Sequence, residues 1–270
     1  MPRSHVRGDI PTDLTALHTW QSITWHRPLP VPTIGKGARF DDPVRTTIRG
    51  RFLSVGPKRV GTFVTSENVI LCSRQKSAGE KICTLQSTTL VLGMPREKVT
   101  LYQAPKDESS PSDLLEFPSA LAPSFEFIYE TTSTQALLYR VASGDSNSIH
   151  ADTSAAELLG VDESRPLLHG LCTLGFAIRA IFGYLGDKRS HTFVRYLEGQ
   201  FTKPVWVGDV LGVRIWTHET PNCDQRMIIS FIVDDKKTNI TVVDRGIANI
   251  QFRTPLEGST SDVVSVHSKM

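Results

Sequence analysis

The sequence predicts an α+β fold in which antiparallel sheet wraps a central apolar helix. Three observations carry that expectation. Leu171 to Leu185 is apolar on nearly every helical face, and a helix hydrophobic all round must be enclosed. Segments with period-two alternation, bounded by turn residues, stand both before and after it, which is the pattern of antiparallel strands. Between the two sets, Ser109 to Pro123 loses all periodicity, with four prolines from Pro105 to Pro123, and reads as a linker between two halves.

In chain order, residues 1–13 are polar and aperiodic and form a loose end. Leu14 to Trp25 is a short helix or the entry of a strand, and Pro28, Pro30 and Pro32 force an extended stretch after it. Val44 to Val55, Arg59 to Cys72 and Lys81 to Leu92 alternate as strands, divided by Gly56-Pro57 and by Ser73 to Gly79, with Gly93 as the stop. This half has no apolar helix of its own. Its sheet must therefore be buried against the other half or against a second chain.

The second half opens with Gln135 to Val141, read as a strand. Thr153 to Gly160 is a short amphipathic helix, with Thr153 or Ser154 as N-cap and Gly160 as its stop. The central helix carries small residues at Gly170, Gly175, Ala177, Ala180 and Gly183. These allow close backbone approach, at a cost of up to ~1 kcal/mol of helix propensity per glycine. Four strands follow: His191 to Gln200, Val210 to His218, Arg226 to Val233 and Asn239 to Phe252. One helix and a sheet long enough to wrap it share a single core, the hot-dog arrangement.

Composition narrows the partners. With 21% charged residues and a formal net charge of only +2, the chain shows no basic stripe, which argues against nucleic acid. No apolar run approaches the ~20 residues needed to span a bilayer, so no membrane insertion is expected. Cys72, Cys83, Cys172 and Cys223 have no close paired spacing and read as reduced thiols of an intracellular compartment. The histidines at 150, 169, 191 and 218 lack His-x-x-x-His or Cys-x-x-Cys spacing, so no metal is expected. No cofactor-binding glycine loop is present either, since Gly183 to Gly186 ends a helix.

One cluster is chemically capable. Asp145, Asn147 and His150 fall within six residues of a loop marked by Gly144 and by Ser143, Ser146 and Ser148. A carboxylate and an imidazole presented together can hold and deprotonate a water, work worth ~10²–10⁴ in rate. The duller reading makes Asp145 and Asn147 turn formers and His150 a structural histidine. The helix beginning at His169-Gly170 tips the balance, because its first N–H groups are unpaired and its dipole favours negative charge.

Those residues carry a resemblance. Leu138-Tyr139-Arg140, then Ser143-Gly144-Asp145-Ser146-Asn147-Ser148-Ile149-His150, then Pro166-Leu167-Leu168-His169-Gly170-Leu171-Cys172-Thr173, resembles the MaoC-like (R)-specific 2-enoyl-CoA hydratases, including the hydratase unit of peroxisomal multifunctional enzymes. Gln200-Phe201-Thr202-Lys203-Pro204-Val205-Trp206-Val207-Gly208 looks like a further strand and turn of that family, and Gln21 to Pro30 is similar to the opening of its non-catalytic half. The resemblance covers most of residues 17–255. It implies a double hot dog: an N-terminal acyl-binding, non-catalytic unit at 14–108 with a reduced or missing helix, a linker at 109–124, a hydratase unit at 125–255 and a tail at 256–270.

The implied reaction is reversible hydration of a trans-2-enoyl-CoA to the (3R)-3-hydroxyacyl-CoA, a hydro-lyase activity with coenzyme A thioester as substrate and no cofactor. By resemblance Asp145 and His150 activate the water, Asn147 orients it, and the Gly170 amide faces the thioester oxygen. Tyr139, Phe176 and Trp20 would line the substrate site, with His169 in a capping or packing role. Two positions depart from the family. Ser148 replaces a proline in the loop, and Trp20 replaces a glutamate in the segment His18-Thr19-Trp20-Gln21, where it would reshape the acyl tunnel toward an unusual substrate in a specialised pathway. Ser268-Lys269-Met270 is close to a peroxisomal import signal, which would add an import receptor as partner. Exposed sheet edges suggest a homodimer. The rival functions are a hot-dog thioesterase, which would need a carboxylate at the central helix, where Gly170 to Leu185 has none, and a catalytically weak acyl-CoA-binding or scaffold protein.

Overall fold

Strand pairing runs without a break through both halves of the chain. A computed structural model describes residues 15–28, 45–73, 79–94, 97, 99–104, 122–218 and 225–252. The tail 256–270, the import-signal tripeptide, Cys223, Pro30, Pro32 and most of the linker lie outside the described residues. Strands β1 (Thr15–Trp25), β2 (Arg45–Lys58), β3 (Gly61–Ser73), β4 (Glu80–Leu92) and β5 (Tyr102–Gln103) come from the first half. Strands β6 (Phe125–Glu130), β7 (Thr192–Phe201), β8 (Val210–His218), β9 (Arg226–Asp235) and β10 (Ile240–Phe252) come from the second. Their order is β5-β2-β3-β4-β1-β7-β10-β9-β8-β6. The halves are joined by antiparallel pairing of β1 with β7, from Trp20 opposite Gln200 to Thr24 opposite Tyr196.

Among the described residues three α-helices sit on the second half: α1 (Ser133–Ser143), α2 (Ser154–Leu159) and α3 (Gly170–Leu185). Helix α3 is the expected central helix. Its Leu174, Ala177, Ala180 and Ile181 are at most 2% exposed and pack with Leu197, Leu211, Val213, Ile229, Phe231 and Val243 from the surrounding strands. Burying a side chain of this size contributes about 1.5–3 kcal/mol, so this cluster dominates the stability of the fold. Among the described residues the first half has no α-helix, and Ile48 and Phe52 of its strand β2 stand exposed. No helix among them is long and apolar enough to cross a membrane.

Two expectations are corrected and one further strand is added. Gln135 to Val141 is not a strand but the body of α1. The Thr132 hydroxyl accepts from the Gln135 N–H at 3.2 Å while the Thr132 N–H donates to Gln135 Oε1 at 3.1 Å, a capping box that fixes a helix start. Gly144, at φ 71°, closes it in the left-handed conformation. Second, Phe125–Glu130 is a further strand, at the edge of the sheet and paired to β8. Third, α3 is not enclosed on all sides. Gly175, Arg179 and Gly183 are exposed, and Leu171, Cys172, Ile178 and Phe182 beside them are half-buried. The sheet covers one side of the helix, and among the described residues no second helix from the first half covers the other.

Candidate active site

Two pinned segments bring the candidate residues together. The first is the loop after α1. Asn147 caps a short 3₁₀ turn, Ser148–His150, by accepting the Ile149 N–H on its side chain. Arg140, one turn from the end of α1, reaches over the loop and donates to the carbonyls of Ser146 and Asn147. The loop is therefore held by its own side chains and by a cation, although Ser148 lacks a proline ring.

The second segment is the extended run into α3. Leu168 N–H donates to the Val205 carbonyl at 2.7 Å, and Val207 N–H donates to the Pro166 carbonyl at 3.0 Å. Arg165 adds an ionic tie, with Nη1 2.7 Å from Asp209 and Nη2 2.6 Å from Glu163. That bonding holds the Glu163 carboxyl down at about 2, so the tie persists across the neutral range. Gly208, at φ 98°, makes the turn between Trp206 and Asp209. Together these contacts fix where His169 and Gly170 begin the helix.

The result is a cavity of about 570 Å³ walled by Asp145, Asn147, His150, His169, Gly170 and Tyr139 from the second half and by Ala16, Leu17, His18, Thr89 and Leu90 from the first. The donor atoms of Asp145, His150 and His169 all lie within 4.8 Å of one another. The Asp145 carboxylate accepts the Asn147 N–H at 2.9 Å on Oδ1, and its Oδ2 is 3.7 Å from His169 Nε2. His150 Nδ1 is 2.8 Å from the Leu167 carbonyl. A carbonyl only accepts, so Nδ1 carries the proton and Nε2 holds the lone pair. Burial lowers the His150 pKa, and the Leu167 bond and Asp145 oppose that effect. His150 is thereby a neutral base at neutral pH.

Gly170 lines the cavity as the first residue of α3, where a helix's N–H groups lack acceptors within the helix. The Tyr139 ring is 4.9 Å from that of His169, and burial raises the Tyr139 pKa. His169 itself is 3% exposed, packs in a stack with His150, and makes no side-chain capping bond. Its pKa is pushed down to about 4, first by burial and then by His150. Cys172 is half-buried, its thiol raised to about 11 by burial, which removes thiolate chemistry at neutral pH.

Two proposed lining residues are elsewhere. Phe176 is 6% exposed and packs on Tyr129, 5.3 Å between ring centroids, inside the core. Trp20 is absent from the cavity wall. The pairing of β1 with β4 slips between His18, opposite Thr89, and Trp20, opposite Thr88. One extra residue reverses the alternation, so His18 faces the cavity while Trp20 turns to the other side and donates its indole N–H to Glu198 at 2.8 Å. Trp20 therefore does not line this cavity. The residue missed in that tetrapeptide is His18, whose pKa is lowered by burial, with Asp145 opposing and His150 reinforcing. Only the bulge, invisible in a period-two pattern, would have singled it out.

Comparison with known proteins adds four findings. The MaoC like domain family matches residues 119–240. The peroxisomal hydratase-dehydrogenase-epimerase of Saccharomyces cerevisiae is 34% identical over 135 residues, 50% of this chain and 13% of that protein. The peroxisomal enoyl-CoA hydratase 2 of Arabidopsis thaliana is 46% identical over 86 residues, 32% of this chain and 26% of that one. This chain thus spans only a minor part of the length of these curated relatives. The crystal structure of a MaoC-like dehydratase from Phytophthora capsici superposes with a TM-score of 0.63 at 24% identity, covering 88% of this chain and 72% of that one, a likeness of fold.

Proposed function

The chain belongs to the MaoC-like hot-dog hydratase and dehydratase family, and we propose that it adds water reversibly to a trans-2-enoyl-CoA, giving the (3R)-3-hydroxyacyl-CoA. The observation that carries this reading is the meeting of Asp145, His150 and the amino end of α3 on one cavity. A water held between the two side chains loses a proton to His150 Nε2, and its oxygen bonds to C3 of the substrate. The C2 position takes up a proton in return, delivered from the same acid–base pair. Charge that develops on the thioester oxygen is met by the Gly170 N–H, a contribution of about 3–4 kcal/mol for a donor of this kind. Asn147 sets the loop that carries both groups. Dehydration is the same path in reverse.

The acyl chain would lie along the apolar wall that Ala16, Leu17 and Leu90 contribute from the first half, whose sheet no helix fills among the described residues. The volume, about 570 Å³, suits a small-molecule group in the usual range of ~300–1,000 Å³. A peroxisomal setting is part of the proposal, on the names of the relatives and on Ser268-Lys269-Met270.

The test is loss of the conjugated absorbance of crotonyl-CoA and of a long-chain enoyl-CoA in the presence of purified protein. Asp145→Asn and His150→Ala should each lower kcat by ~10²–10⁴ with the fold unchanged by circular dichroism. Activity that survives both substitutions eliminates the site, and thioester binding without any turnover favours a binding protein.

A further inference from the structure

The first half sends an imidazole into the reaction cavity. His18 lines it beside Leu17 and opposite Thr89 of β4. Its direction is set by the bulge at Thr19, whose hydroxyl donates to the Thr88 carbonyl at 3.0 Å and so holds the extra residue in place. The His18 ring is open to the cavity, and among the described residues no group hydrogen-bonds it.

Two observations put that ring at the reacting end of the cavity. Asp145 and His150, the proposed water-activating pair, are the charged groups that act on it, while it stands outside the group of donor atoms that Asp145, His150 and His169 hold within 4.8 Å of one another. It therefore meets the pair from the first half's wall. It is also linked to the start of α3 through Phe201. Trp20 is opposite Gln200, so Phe201, the next residue and the last of β7, lies beside the bulge at Thr19, and a β-carbon on Gly170 would stand 3.4 Å from the Phe201 ring. The His18 ring and the unpaired Gly170 amide thus flank one end of the cavity.

Burial lowers the His18 pKa, with Asp145 opposing and His150 reinforcing, so the ring is neutral at neutral pH and carries one N–H. A neutral imidazole of lowered pKa can polarise a carbonyl without giving up its proton. We propose that His18 is a second electrophile for the thioester oxygen, donating its N–H from the first half while Gly170 donates from the amino end of α3. The inference rests on the hydratase reading. As the water oxygen bonds to C3, the C2–C3 π electrons shift toward the thioester and its oxygen gains negative charge, which the two donors share. Protonation of C2 returns those electrons to a new C–H bond and restores the carbonyl, and His18 ends with the proton it began with.

The experiment compares wild type, His18→Phe, His18→Gln and Trp20→Phe with crotonyl-CoA. His18→Phe should lower kcat by ~10²–10³. His18→Gln, whose amide donates from a similar place, should recover about tenfold of that loss. Trp20→Phe disturbs the same strand from its other face and should keep the wild-type kcat. A second measurement needs no turnover: the infrared carbonyl band of bound butyryl-CoA, isotope-labelled at the thioester carbon. The band should fall in frequency on binding to the wild type, and by less in His18→Phe. His18 is exposed, so neither substitution threatens the fold. An equal band shift in wild type and His18→Phe, or an unchanged kcat in a wild type that hydrates crotonyl-CoA, overturns this inference alone. A wild type that polarises the carbonyl through His18 without hydrating crotonyl-CoA overturns the proposed function and supports the contact.

Discussion

The imidazole rings of His150 and His169 are stacked, with centroids 3.8 Å apart and planes 21° from parallel. Two imidazolium ions at that separation would repel, and the pair is held neutral by burial. In the folded chain His169 takes up a proton only near 4, against an ordinary value of 6.5. Below 6.5 the unfolded chain binds this proton and the native chain does not, so stability falls as pH drops toward 4. The thermal midpoint of the protein should decline over that interval, and the decline should be shallower in His169→Gln. Equal slopes would locate the effect in other groups.

Helix α3 contains two glycines with opposite surroundings. A β-carbon on Gly175 meets nothing within 4 Å, whereas one on Gly183 would stand 2.5 Å from Cζ of Phe127. The Phe127 ring has little room to yield, lying 4.3 Å from that of Phe125 and 6.0 Å from that of Tyr129. Gly175→Ala should stabilise by up to about 1 kcal/mol. Gly183→Ala should destabilise by about 1–3 kcal/mol from overpacking, less the same propensity gain. Urea denaturation of the two variants measures the difference.

Ser148 occupies the first position of its 3₁₀ turn, where the N–H has no acceptor within the turn. The residue before it, Asn147, has φ −59° and ψ 123°, the extended geometry that proline requires of its predecessor. Ser148→Pro should therefore be accepted and should stabilise by about 0.4–1 kcal/mol. Thermal unfolding gives the result, and a destabilised variant would mean that the loop depends on the Ser148 N–H.

Trp20 acts at the seam between the halves. Glu198, 4% exposed, receives the indole N–H on Oε1 and the Tyr196 hydroxyl, at 2.6 Å, on Oε2. Trp20→Phe takes one donor from a buried carboxylate, a loss of about 1–3 kcal/mol. KM for enoyl-CoA should stay unchanged, because the indole is on the face away from the cavity. A changed KM with unchanged stability would return Trp20 to the substrate path.

Much of the architecture was legible in residue order. The span of α3, the three long strands of the first half and the four after α3 follow from hydrophobic periodicity, which depends on neighbours in sequence. The run Gln135 to Val141 misled because Leu137, Leu138 and Val141 are apolar yet exposed, so their spacing reports no buried face. The local signal that would have corrected it, Thr132-Ser133-Thr134-Gln135, is a capping box written in the sequence. Asp145, Asn147, His150 and Gly170 were legible as a motif. The contributions of His18 and His169 were not, since one depends on a slip in strand register and the other on a stack between a loop and a helix start. Phe176 was misplaced for a related reason: spacing along a helix says which face a residue is on, and not which neighbour that face meets.

Because β1 is hydrogen-bonded along β7, the cavity straddles the joint between the two halves. A piece made from 125–252 alone would carry the motif yet lack one wall, and it would leave an unmatched strand rim where β1 had been. Adding back 15–104 as a separate piece should restore both together, so complementation between fragments is the natural measure of how far chemistry in one half is built by the other.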